Sequence, residues 1–364
     1  MPDATMPDAE DRARKRERLA RVRHESGNAA ILLDSHEALS WYLDGARTHV
    51  SLAGPPVLAV RAEASGDTLF VAENEAERLI AEELLPEDAA RVVTAPWQTP
   101  PEAAAREAGE AAPESAVAAP LRAARAALLP AETARYRALG REVAEVLTDA
   151  AAGLSEEYTE RAAAAVIAGG LVARGIDPLV VLVAGAARLG LRHPLPGGSP
   201  LGPRAMLVVC GRRHGLIANA TRWVGEAGAD DERILEVEAA YFAATLSSSR
   251  LDEVFAAGCA AYGAAGLDPD EWRRHHQGGP TGYAGRDPRA TALTTDALHE
   301  GQAFAWNPTA VAAKAEDTVL RRGGAIEVLT VDGRWPSREL GGLRRPLAAP
   351  YGALGAAAGA AALS

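Results

Sequence analysis

The sequence predicts an α+β protein whose second part is built on an antiparallel sheet. Two long, strongly helical segments, residues 131–152 and 155–169, come first. Six apolar runs of strand length follow at 179–183, 205–210, 215–224, 302–306, 312–320 and 326–330. A single helical stretch, 234–263, separates the third run from the fourth. Parallel strands would each need a crossover helix, so most of these runs must be joined by hairpins.

The first hundred residues read as a separate α/β domain. Residues 10–24 alternate charged and apolar positions at helical spacing, and Gly27 ends the pattern as a C-cap does. Runs at 29–33, 57–60 and 68–71 have strand length, and 75–85 reads as an amphipathic helix. Beyond Trp97 the chain becomes rich in Pro, Ala and Glu without bulky apolar periodicity, the composition of a loose connection. The expected division is a domain at 1–97, a linker at 98–125 and a second domain at 126–364. After Tyr351 the tail is Gly/Ala low complexity, expected to fray or to dock as a weak helix.

A chain of 364 residues has room for two domains, each with its own core. There are 38 basic and 49 acidic residues, a net charge of -11, with arginines scattered among acids. Binding phosphates by counterion release needs a clustered basic face, so nucleic acid is not an expected partner. The charged stretch 1–23 has no signal-peptide core, and no later stretch reaches the roughly 18 apolar residues of a membrane span. Cys210 and Cys259 sit in apolar or Ala-rich surroundings and read as small hydrophobes in a reducing compartment. The expectation is a soluble cytoplasmic protein.

None of the eight histidines forms an HExxH pair, and no cysteine pair has zinc spacing. GxSxG and GxGxxG motifs are absent too, which leaves serine-hydrolase and dinucleotide-binding readings without support. Three segments stand out. His193 lies between Arg192 and two prolines that restrict the backbone around an imidazole. His275-His276-Gln277-Gly278-Gly279-Pro280-Thr281-Gly282-Tyr283 places three glycines within five residues, where a backbone can approach a ligand beside two titratable rings. Lys314-Ala315-Glu316-Asp317-Thr318 sets an acid pair in an apolar run, and a buried carboxylate is costly unless paired or used. Taken singly, each has a plain structural reading: an exposed loop histidine, a tight turn, a surface acid on an edge strand.

The order of these segments resembles the creatinase/prolidase/aminopeptidase P family, over nearly the whole chain from about Arg16 to Pro346. A strand and Gly-containing segment lead to His193. Val209-Cys210-Gly211 and Asn219-Ala220-Thr221-Arg222 stand where the family has Asp-x-Gly and Asp-x-Thr-Arg, so Gly, Thr and Arg remain while both acids are gone. His276-Gln277-Gly278-Gly279 matches the family's His-x-x-Gly turn, Asn307-Pro308 replaces Glu-Pro, and Glu316-Asp317-Thr318 is intact. The resemblance implies a pita-bread domain with a curved antiparallel sheet. Of its five metal-ligand positions, only His276 and Glu316 still suit a metal, and two hard divalent ions need several carboxylates. No metal and no other cofactor is therefore expected, a mononuclear zinc site on His276, Glu316 and His193 being the exception kept open.

What the resemblance implies about function follows from creatinase, which cleaves a C–N bond without metal. His193 would be the acid and base, His276 would orient or stabilise charge, and Glu316, with Asp287, would hold a cationic part of the substrate. Asn219, Asn307, Arg222 and Tyr283 would complete the substrate site. The expected function is a metal-independent hydrolase acting on an amide, peptide or amidine bond of a small molecule or short peptide. A non-catalytic binding module and a metal-dependent Xaa-Pro aminopeptidase or dipeptidase are the alternatives. A homodimer is expected, with Arg47 or His49 of the segment 42–49 reaching the partner's site.

Overall fold

The computed structural model describes residues 7–354. The Gly/Ala tail expected to fray or dock lies mostly outside the described residues. The chain divides into two compact units, residues up to Arg135 and residues from Tyr136 on, with His214–Leu216 grouped with the first.

In the first unit the strands are β1 (Ala30–Leu33), β2 (Leu58–Glu63), β3 (Gly66–Ala72), β4 (Val92–Ala95) and β5 (Ala112–Pro113), in the order β4-β3-β2-β1-β5. The central pairs are antiparallel, and β4 and β5 add parallel at the edges. Helix Ala9–Glu25 starts at Asp8, whose carboxylate accepts from the Asp11 N–H at 2.9 Å. The face it buries is partly ionic. Lys15 is buried against Asp44 at 2.5 Å and Glu132 at 2.7 Å, and Arg135 reaches Asp44 at 2.7 Å. Alternation of charged and apolar residues thus located the helix but not its buried side.

The stretch expected as a linker carries structure of its own. Helices Pro101–Glu107 and Ala118–Ala126 flank β5, which pairs with β1, and Ala105 packs with Leu32, Ala59 and Phe70. Alanine is a strong helix former and small enough to pack closely, so a run without bulky residues can still dock.

The second unit has the α+β architecture that the order of elements predicts. Strands β6 (Asp177–Gly185), β7 (Arg204–Arg213), β8 (Leu216–Gly225), β9 (Gly278–Pro280), β10 (Gln302–Trp306), β13 (Asp317–Arg322) and β14 (Ala325–Val328) form one curled sheet. Its order is β6-β7-β8-β13-β10-β9, with β14 on β13, and the β6–β7, β8–β13, β13–β10, β10–β9 and β13–β14 pairs are antiparallel. A short hairpin of β11 (Thr309–Ala310) and β12 (Ala313–Lys314) interrupts the run expected as one strand. Glu316 therefore sits just before β13 rather than inside a strand.

The single helix expected over 234–263 is two, Asp231–Ser247 and Leu251–Ala264. Arg250 caps the second, and Glu253 accepts from the Arg250 N–H at 3.1 Å, a capping arrangement that stops one helix and starts the next. The two pack tightly: a Cβ on Gly258 would fall 2.1 Å from the Tyr241 ring. Tyr241 stacks on Trp306 of β10 with centroids 4.6 Å apart, joining these helices to the sheet.

Candidate functional site

Strands β6, β7 and β8, and the segments around β9, β12 and β13, line a cavity of about 520 Å3 within the second unit. That is room for a small organic molecule or dipeptide, on the scale of roughly 300–1,000 Å3 typical of ligand pockets. One wall is apolar, with Leu179 and Leu182 of β6, Val208 of β7 and Ile217 of β8. The rest is polar: His193, His276, Asn219, Asn307, Glu316 and three cations, Arg286, Arg289 and Lys314.

His193 is carried by an exposed loop, but the loop is fastened. Buried Glu160 accepts from the Gly185 N–H at 2.9 Å and the Gly197 N–H at 2.7 Å, and it pairs with Arg188. Arg192 pairs with Glu271, so the residue beside His193 is tied to the turn that leads into His275. The Nε2 atoms of His193 and His275 lie 3.1 Å apart, and the His275 and His276 rings stack at 4.4 Å. Gln277, buried beneath them, accepts from the Tyr262 hydroxyl at 2.7 Å and donates to the His275 carbonyl at 2.7 Å.

The glycines of this segment have a different task from the one expected. Gly278 has φ +95, and a Cβ there would lie 2.1 Å from the Ala305 carbonyl oxygen; at Gly279, φ +141, it would lie 2.8 Å from that of Pro288. Their close approach is to the protein's own backbone, not to a ligand, and it seats the two histidines against β10.

Electrostatics keep the imidazoles neutral. Burial first, and Lys314 second, hold His193 below its ordinary value and push His275 down to about 2. Burial with Arg286, Arg289 and Lys314 lowers His276 to about 4. For Glu316, burial would raise the carboxyl, but Lys314 and Arg286 outweigh it and hold it near about 2. Both Glu316 oxygens are engaged: Arg286 Nη2 at 2.6 Å on one, Lys314 Nζ at 3.2 Å and the Thr221 hydroxyl at 3.1 Å on the other. The oxygens on which a cationic substrate group was expected to sit are thus contacted by the protein's own cations. Cys210 also lines the cavity, and burial raises its thiol to about 12, far from a nucleophilic thiolate.

The other expected residues divide. Asn219 and Asn307 face the cavity, and their buried side-chain oxygens have no hydrogen-bond partner. Val209 points away, because side chains alternate along β7; Val208 and Cys210 are the cavity-facing pair, so the metal-ligand comparison belongs one position earlier than expected. Arg222 is a buried structural residue that donates to Asp317 at 2.9 Å and to the Thr330 carbonyl at 2.6 Å. Tyr283 is buried and Asp287 lies at a cis bond to Pro288, and neither lines the cavity. Arg47 belongs to the first unit, where its Nε donates to Glu83 at 2.6 Å. Sequence reasoning missed Lys314, Arg286, Arg289 and His275. Lys314 and His275 lay inside segments already singled out, whereas nothing local marks Arg286 or Arg289.

These residues do not fit a pair of divalent ions: two ligand positions are neutral amides, β7 presents Val208 and Cys210, and Glu316 is already neutralised. His193, His275 and His276 have ligand atoms within 4.8 Å of one another, a set able to hold one ion. No carboxylate joins them, and the nearby Lys314, which disfavours the protonated form of each ring, also opposes a metal cation.

The curved antiparallel sheet with a fastened histidine loop and this cavity defines a protein of the pita-bread fold. Solved structures bear this out across almost the full length. Dipeptidase PepE from Mycobacterium ulcerans matches with a TM-score of 0.69 and 18% identity over 94% of this chain and 99% of its own. The prolidase from Pyrococcus horikoshii OT3 matches with a TM-score of 0.67 and 17% identity over 87% and 98%. The N-terminal domain of FACT complex subunit SPT16 from chickpea, Cicer arietinum, matches with a TM-score of 0.64 and 12% identity over 89% and 97%. No family model and no curated protein matches the sequence. Among the described residues, no helix is long and apolar enough to cross a membrane.

Proposed function

We propose that the cavity is the active site of a metal-independent hydrolase that cleaves a C–N bond of a small molecule, with His193 as acid and base. The observation that carries this reading is the 3.1 Å contact between His193 and His275 on the cavity wall. In this reading neutral His275 carries its proton on Nδ1 and accepts at Nε2: His193 Nε2–H donates to it, leaving the lone pair of His193 Nδ1 for a water molecule. His193 takes a proton as that water adds to the substrate carbon, then delivers it to the departing nitrogen. Lys314 and Arg286 offset the negative charge that develops on the substrate oxygen. Two fold neighbours are a prolidase and a dipeptidase, which agrees with C–N bond hydrolysis.

The test is hydrolysis of a panel of N-acyl amino acids, dipeptides and amidines by wild type and His193→Ala. Turnover that requires His193 is the expected result. Turnover indifferent to it sinks the mechanism, and ligand binding with no turnover across the panel favours the binding-module reading. The same reading takes the protein as a homodimer in which the half-exposed Arg47 contributes to the partner's cavity, checked by light scattering and by the activity of Arg47→Ala.

A further inference from the structure

Lys314 and Arg286 have side chains only 6% and 9% exposed, and both lean on the same carboxylate, Glu316, itself 3% exposed. Two buried cations against one buried anion leave a standing positive charge. Glu316 is the sole carboxylate lining the cavity among the described residues, and Arg289 adds a third cation on the more open side. Among the described residues Glu316 is also the only side-chain partner of the Lys314 ammonium, and the Nε of Arg286 is buried without any. An uncompensated charge held out of water is unfavourable until an anion joins it. The histidines cannot supply the balance, being neutral. On the same cavity surface Asn219 Oδ1 and Asn307 Oδ1 are buried acceptors without donors. Those oxygens repel an anionic oxygen and favour an N–H.

Building on the hydrolase reading, we infer that this cavity takes a small organic carboxylate that also carries an N–H: its carboxylate meets Lys314, Arg286 and Arg289, its N–H meets Asn219 and Asn307, and its apolar body lies on Leu179, Leu182, Val208 and Ile217. N-acylated amino acids have this combination. In a resemblance-based reading Glu316 selects a cationic ligand; here the charge preference is reversed, because Glu316 serves to hold the cations that select an anion. A single excess buried charge matches a monoanion, and the apolar wall favours an organic acid over an inorganic one.

The experiment is thermal unfolding of the full chain at pH 7.5 and low salt with N-acetylglycine, N-acetyl-L-leucine and N-acetyl-L-phenylalanine. N-acetyl-L-leucinamide and the cationic L-leucinamide serve as the uncharged and oppositely charged counterparts. At least one acid should raise the midpoint with an affinity tenfold or more above its amide, and added salt should weaken it. Arg289→Gln, at an exposed position, should weaken it about tenfold. Lys314→Met paired with Glu316→Gln removes one cation and one anion together, so the excess charge stays and binding should weaken less than in Arg289→Gln. Equal affinity for acid and amide, preference for L-leucinamide, no binding of any acid, or an unchanged Arg289→Gln would each overturn the inference. If the acids bind in this pattern but are not cleaved, the carboxylate seat stands and the hydrolase reading falls. If a cationic substrate is cleaved in a His193-dependent way, the hydrolase stands and the carboxylate seat falls.

Discussion

His193 and His275 face each other with their Nε2 atoms 3.1 Å apart, and only one of the two rings is free to change its protonation near neutral pH. His275 is a positioning residue on this geometry. His275→Phe should lower kcat by about 100-fold, the scale of losing a correctly oriented base, with little change in KM. His275→Gln, whose side-chain oxygen can accept from His193 Nε2–H, should recover part of that loss. The acid limb of the pH profile should also move further below 6.5, because Phe keeps His193 buried and cannot accept from its protonated ring, a shift that a merely structural role for His275 would not produce.

The same neutral rings make stability depend on pH. In the unfolded chain histidine takes up a proton near 6.5, whereas folded His276 does so only near about 4. Between these values the unfolded state holds more protons, so the contribution of His276 is intact above 6.5 and is lost as pH falls toward 4. Buried Glu238, raised to about 7 by burial ahead of its neighbours, acts with the opposite sign between 4.5 and 7. Comparing wild type with His276→Asn cancels that term. Urea midpoints measured from pH 7.5 to 5 should fall less steeply in the variant; identical slopes would mean that His276 protonates normally.

His193→Ala should slow turnover about 100- to 10,000-fold with a nearly unchanged melting temperature. The residue is exposed to the cavity, and its loop is held by Glu160, Arg188 and Arg192 rather than by the imidazole. Unfolding on substitution, or full activity, would each count against the role assigned to it.

The frame of this site was legible because motif order survives substitution: His193, Asn219, His276, Asn307 and Glu316 could be named from the chain, and all line one cavity. Charge was not legible. Glu316 read as an unspent carboxylate because its partners Arg286 and Lys314 meet it only in the fold, one from 30 residues away. Strand register was a second blind spot. A one-residue difference between Val209 and Val208 exchanges the two faces of β7, and motif spacing without a partner strand does not fix that phase. The break between the two helices at Ser248 and Ser249 was likewise hidden, since an Ala-rich stretch on either side masks a short capped turn.

Neighbouring acids in Glu316-Asp317 should fail in different ways. Asp317 accepts from Arg222 at 2.9 Å and from Arg345 at 2.8 Å, all three buried, so Asp317→Asn should cost about 3–5 kcal/mol of stability by stranding Arg222, whereas Arg345 keeps buried Glu238 as a partner. Glu316→Gln should also destabilise, by leaving Lys314 and Arg286 unpaired, and adding Lys314→Met should restore only part of the loss, because Arg286 stays unpaired. Adding Arg222→Met to Asp317→Asn should restore more, because Arg345 stays paired with Glu238. Denaturant unfolding of the four variants decides the matter, and no rescue of Asp317→Asn by Arg222→Met would contradict these pairings.

Metal content separates this cavity from an ordinary two-metal site of the same fold. Two divalent ions bring four positive charges, and the cavity opposes them with one carboxylate that Lys314 and Arg286 already neutralise. The three imidazoles could hold a single ion by donor type, yet Lys314 bears on all of them, and Glu316, the carboxylate that acts on them, is already paired with Lys314 and Arg286. Protein purified without added metal should therefore carry well under one equivalent of Zn, Mn or Co by elemental analysis, and activity should be unchanged after EDTA dialysis. Added Zn2+ should inhibit by occupying the His193 lone pair, not activate, and EDTA should reverse the inhibition. Lys314→Met alone, which removes a cation bearing on all three rings and keeps Glu316, should bind Zn2+ more tightly than wild type as read by competition with a chromogenic chelator. About one or two equivalents of bound metal, or activity abolished by EDTA and restored by Zn or Mn, would show that these charges do not govern the site.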